Sequence, residues 1–210
     1  MVSRRPGPTD RAPPADRGQS YVLEAIGAGI IVLSAVVFAV QATAVTPLSA
    51  STASQHIENQ QQATAATLLD QAAANGTLQA AMRNWSADER RFHSASAEGY
   101  HVGDPPDNPF GRQLDRVFSE GRVATNVYVA YTTPAGERAT PYLYQGTPSD
   151  NAVVASRQVV LTDGMNLTAP GETQRTLNAT NATSSFYAPD AMSNGSVYNT
   201  VEVRIVVWRM

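Results

Sequence analysis

The chain has 210 residues, 42% of them hydrophobic and only 16% charged, enough apolar material for one buried core plus an appendage. Its net charge of −3 is too small to mark a nucleic-acid binder, and Arg supplies all of its permanent positive charge because Lys is absent. The absence of Cys removes disulfides, thiolate zinc sites, iron–sulfur clusters and thiol catalysis together.

Residues 1–18, MVSRRPGPTDRAPPADRG, are polar and carry Pro6, Pro8, Pro13 and Pro14, so they are expected to form a disordered leader. From Ala25 to Val45 the sequence AIGAGIIVLSAVVFAVQATAV has no charge and only Ser34, Gln41 and Thr43 as polar interruptions. As a helix it covers roughly 30 Å, one hydrocarbon core, and a transmembrane helix is predicted over 19–45. A buried soluble helix is the alternative, but the flanks argue against it. Arg4, Arg5, Arg11 and Arg17 precede the run and the next basic side chain other than a His is Arg83, which places the N-terminus in the cytoplasm and the remainder outside. Six N-x-S/T sequons, at Asn75, Asn84, Asn166, Asn178, Asn181 and Asn194, all lie beyond the run and suit an exported, glycosylated surface.

Three export signals compete. Arg4-Arg5 suggests a twin-arginine signal, although Pro6 follows directly and the apolar run starts far downstream. Ala42-Thr43-Ala44 has the form of a conventional cleavage site that would release a soluble domain starting at Val45. The third is Arg17-Gly18-Gln19-Ser20-Tyr21-Val22-Leu23-Glu24, with a Gly and a lone Glu at the mouth of the run. An acid there gains a plain signal core nothing and costs up to about 3 kcal/mol at mid-membrane.

This third stretch resembles the processing site of archaeal type IV pilins, where a prepilin peptidase cuts before the hydrophobic helix and leaves the helix attached. The usual archaeal pattern cuts between Gly and Gln and has Glu as the fifth mature residue. Here cleavage after Gly18 makes Glu24 the sixth and cleavage after Gln19 makes it the fifth, so the bonds before Gln19 and before Ser20 both stay open. The segments QATAVTPLSASTASQHIENQQ (41–61), SSFYAPDA (184–191) and VEVRIVVWRM (201–210) are similar to an uncharacterised haloarchaeal pilin-like membrane family. The resemblance implies that the new α-amino group of one subunit meets Glu24 of another, and that the partners are the membrane, the prepilin peptidase with its assembly machinery, and other pilin-like subunits.

Beyond the membrane, 46–122 is predicted to be helical. Ile57, Gln61, Thr64, Leu68 and Ala72 share one face of a helix that stops at Asn75-Gly76, and Pro47 either kinks it or sits in its first turn. Shorter helices are predicted over 78–85, 87–97 and 111–120, with a loop from His101 to Pro109. From Val123 the period becomes two. Strands are predicted over 123–131, 138–145, 152–162 and 197–208, the first two joined by the Thr133–Glu137 turn, with 163–196 a long glycan-tolerant surface loop. The predicted fold is α+β and pilin-like, a long N-terminal helix packed on an antiparallel sheet of about four strands over 123–210.

No G-x-S-x-G, P-loop, G-x-G-x-x-G or H-E-x-x-H motif is present, so no enzyme, cofactor or metal centre is expected. His93, His101, Asp104 and Asp107 are expected on a solvated loop, and Gly27 and Gly29 in helix packing. Tyr128, Tyr131, Tyr142, Tyr144 and Trp208 fall on strands as core or, alternatively, as a binding surface. The leading expectation is a membrane-anchored structural subunit assembling through its helix into a filament or pseudopilus. The alternative is a single-pass anchored binding module that does not assemble, and a third is a soluble protein released after Ala44.

Overall fold

The computed structural model describes the backbone of residues 14–119 and 123–209, and side chains for 21–40, 54–119 and 123–209. The expected leader up to residue 13, and the side chains of Gly18, Gln19 and Ser20, lie outside the described residues. The chain divides into two compact units, Met1–Ser54 and Gln55–Met210. Helix α1, Pro14–Ala74, is assigned as one element through Pro47, so no new helix starts there. It also takes in residues 14–18 of the expected leader, and Pro is favoured at a first helical position.

In the first unit, Tyr21–Val40 is the one candidate membrane span among the described residues, with a mean hydropathy of 2.4 and none of it buried. Its apolar side chains are exposed all round: Ile31 71%, Leu33 67%, Phe38 74%. A helix apolar on every face needs lipid or other helices around it.

In the second unit α1 buries Ala65, Leu68, Leu69 and Ala72 in the core. This corrects the expected stripe. Leu68 and Ala72 belong to it, but Thr64 is exposed and donates its hydroxyl back to the Ile57-side backbone at Gln60 O, 2.9 Å, leaving Ala65 to face inward. The helix stops as expected, with Gly76 at φ 76° and its amide donating to Ala73 O.

Helix α2, Thr77–Met82, buries Leu78, Ala81 and Met82. The helix expected over 87–97 is replaced by a hairpin of β1, Trp85–Ser86, and β2, Arg91–Phe92. Tertiary packing overrides helix propensity here: Trp85 and Phe92 must reach one core and meet edge to face at 5.1 Å. The expected loop from 101 to 109 contains a short strand β3, His101–Val102, that pairs parallel with the fifth strand. Helix α3, Pro109–Phe118, starts at Asn108, whose Oδ1 accepts the Gly111 amide at 2.9 Å. Gly111 is required by a close approach, since a Cβ there would stand 1.9 Å from Pro106 O.

Strands β4 (Val123–Thr133), β5 (Gly136–Tyr144), β6 (Val153–Thr162) and β7 (Val197–Arg209) follow the predicted order. The sheet nevertheless has five strands and is mixed, in the order β3-β5-β4-β7-β6, because the two residues of β3 add a parallel edge to four antiparallel strands. Val127 and Val129 of β4, Val201, Val203, Ile205 and Val207 of β7, and Leu161 of β6 are buried on its inner face. The segment 163–196 is more than a surface loop. It inserts Leu167, Ala169, Leu177, Phe186 and Ala188 into the core and forms a fourth helix, α4, Leu177–Asn181.

Candidate functional site

Aromatic side chains from distant parts of the second unit converge where the β1–β2 hairpin, the inner end of β5 and the 184–187 segment meet. Trp85 contacts Phe92, Phe186 and Tyr187 edge to face at 5.1, 6.0 and 5.4 Å, and Phe186 lies 4.2 Å from Tyr187. The indole N–H donates to Ser185 O at 2.6 Å, and the Tyr187 hydroxyl donates to Met82 O at 3.1 Å. Burial raises the Tyr187 phenol well above its ordinary pKa, so it is a neutral donor.

Above this cluster lies an open cleft of about 370 Å³. It is lined by Tyr131, Thr140 and Pro141, by Glu98, Gly99 and Tyr100, and by Arg90 and Ser184 together with the aromatic cluster. Arg90 (φ 53°) and Ser184 (φ 48°) are two of the three non-glycine residues with left-handed backbone among the described residues. Such strain persists only where surrounding structure holds it, and it concentrates at functional surfaces. Arg90 and Glu98 are the charged groups in the lining, which holds no His. The cleft can therefore bind through aromatic contact, hydroxyls and charge.

The other predicted positions are dispersed. Glu24 is exposed on α1. Asn75, Asn166, Asn178 and Asn194 are exposed, whereas Asn84 and Asn181 are half-buried and the Oδ1 of Asn84 is enclosed without a partner. Asn75 Oδ1 accepts both the Thr77 amide at 3.0 Å and its hydroxyl at 2.6 Å. Thr180, the hydroxyl residue of the Asn178 sequon, is buried with its O–H donated to Leu177 O at 2.6 Å.

The His and Asp residues expected on a solvated loop are corrected in one respect: His101 is buried, edge-on to Tyr142 at 5.3 Å. Asp107 pairs outward with Arg112 at 2.7 Å, and among the described residues no three His, Cys, Asp or Glu gather as a metal set. Burial, and to a smaller extent the charge of His93, pushes the His101 imidazole down to about 4 from 6.5. The folded protein thus binds fewer protons at this site than the unfolded chain between these values. Its contribution is present in full above pH 6.5 and is lost as pH falls toward 4. Acid denaturation followed by near-ultraviolet circular dichroism is expected to show that loss, and His101→Gln to flatten the profile within this window.

Tyr131 is legible from the sequence as a strand residue and Ser184 only as the first residue of the 184–191 segment, whereas Arg90 and Glu98 carry no signal there, because left-handed backbone at Arg or Ser has no local signature. No curated protein and no solved structure matches the chain. What it does share begins at the Arg17 flank and takes in the apolar helix and the sheet-bearing unit together: residues 17–207 match the profile of DUF7288, a family of unknown function, to which the chain belongs.

Proposed function

We propose that this protein is a pilin-like structural subunit of the cell surface, held by its N-terminal helix with the N-terminus cytoplasmic and the C-terminal unit outside. The observation that carries the reading is the all-round exposure of Tyr21–Val40 on the same helix that supplies Ala65–Ala72 to the core of the second unit. An apolar helix of this length is stable in lipid and equally among copies of itself. Ala25, Gly29, Ala35 and Ala39 supply small residues for close helix approach, and Glu24 sets register against the α-amino group of a processed neighbour. Its partners are other subunits, a prepilin peptidase and assembly machinery, and it acts without catalysis or a cofactor. The exposed sequons, Asn75, Asn166, Asn178 and Asn194, carry glycans in this reading.

N-terminal sequencing and mass spectrometry of the protein extracted from membranes test it. A start at Gln19 or Ser20 with glycan mass on the exposed Asn residues is the expected result. A start at Val45 overturns it in favour of release, and an intact leader in favour of a plain anchor. Glu24→Gln is expected to reduce cross-linked oligomers severalfold without unfolding the second unit; oligomers at the wild-type level would remove the role in register. The anchored binding module is the second reading, favoured by the strained aromatic cleft.

A further inference from the structure

The two edges of the five-stranded sheet are finished differently. At β6 the edge is covered by helix side chains: Gln62 Nε2 donates to Val154 O at 3.1 Å and Gln79 Nε2 to Val160 O at 2.9 Å. These amides occupy carbonyls that would otherwise recruit another strand. At the opposite edge β3 pairs with β5 only at Leu143 and Tyr144. From Glu137 to Pro141, β5 is paired by β4 alone. The chain leaves this edge just before β3 through a turn in which the Gly99 amide donates to Ser96 O at 3.0 Å, with Gly99 at φ 95°. The cleft lies in that gap, between Thr140–Pro141 and Glu98–Tyr100.

The direction of the free backbone groups follows from the ladder. The Thr132 amide donates toward β7, to Asn199 Oδ1 at 3.4 Å, so its neighbour Tyr131 presents its backbone to β5, directly opposite Arg138. Hydrogen-bonding direction alternates along a strand, so Glu137 and Ala139 present theirs outward. Pro141 falls in the same phase, where a missing amide hydrogen disturbs no ladder bond. Outward amides and carbonyls spaced in this way fit another extended backbone.

The charged side chains beside this edge set the charge of that ligand. Arg90 lines the cleft, Arg138 stands opposite Tyr131 on β5, and neither forms an ion pair among the described residues; Arg204 holds both Glu137 at 2.8 Å and Glu202 at 2.7 Å, leaving Glu98 as the acid in the cleft lining. We propose that the Glu137–Pro141 edge of β5 and the adjoining cleft bind an extended acidic peptide by strand addition, one aromatic side chain of which enters the cleft over Trp85 and Tyr131. Backbone pairing supplies the affinity, and the aromatic pocket and the two Arg the selectivity. This activity is independent of filament assembly.

Fluorescence anisotropy on the full chain in detergent micelles tests the assignment. The probe is a labelled decapeptide of alternating valine and glutamate with a central tryptophan. Three comparisons are each expected to weaken binding about tenfold or more: the peptide N-methylated at alternate residues, Arg138→Glu, and Ala139→Pro, which removes an outward donor. The N-methylated peptide leaves the protein unaltered and keeps the result readable if a variant fails to fold. Absent binding, equal affinity for the N-methylated peptide, or preference for a lysine version overturns the proposal. Conversion of wild-type dimers to monomers by Ala139→Pro would overturn it too, by making a second copy the occupant of the edge.

Discussion

Trp85→Ala is expected to destabilise the second unit by about 3–5 kcal/mol, a large part of the stability of an ordinary domain. The indole is 6% exposed and is the point at which the β1–β2 hairpin, through Phe92, is joined to the 184–187 segment, through Phe186 and Tyr187. Truncation leaves a cavity between these elements and strips Ser185 O of the donor it receives at 2.6 Å inside the fold. Trp85→Phe keeps most of the ring contact and loses the N–H, so it should cost about 1–2 kcal/mol. Urea unfolding of the full chain in micelles, monitored by near-ultraviolet circular dichroism, measures both. A loss below about 1 kcal/mol for Trp85→Ala would mean that the hairpin is held by other contacts.

The second large effect concerns membrane residence. Val32 and Val36 lie one helical turn apart in the middle of the span, 63% and 55% exposed. Each Arg placed at mid-helix costs about 2.5–3.5 kcal/mol on insertion, so Val32→Arg with Val36→Arg loses roughly 5–7 kcal/mol, enough to abolish stable insertion. Alkaline extraction of membranes should move the double variant into the soluble or aggregated fraction while the wild type stays in the pellet. The double variant remaining in the pellet would show that the segment is held by something other than lipid.

These two expectations rest on parts of the molecule that differ in how openly the sequence declares them. The apolar segment needs no partner within the fold to be recognised: an uncharged stretch of this length marks a candidate membrane span by composition alone. The helix stop at Asn75-Gly76, the Thr133–Gly136 hairpin and the β4 and β7 periods are equally local, because each is decided by residues within a turn or a strand length of one another. The hairpin at Trp85–Phe92 is different. Its residues favour helix, and what overrules them is Phe186 and Tyr187, about a hundred positions away.

The same reason accounts for the rest of what periodicity left unread. His101–Val102 is too short to show a period and becomes a strand only because Leu143 and Tyr144 lie beside it. Leu167, Leu177 and Phe186 are spaced too widely among polar residues to announce a buried segment, yet each finds the core. Composition and short-range period thus determined the long apolar helix and the four long strands. The three-dimensional packing decided the cleft and the open β5 edge, because both are made where one chain segment ends beside another and neither end carries a pattern of its own.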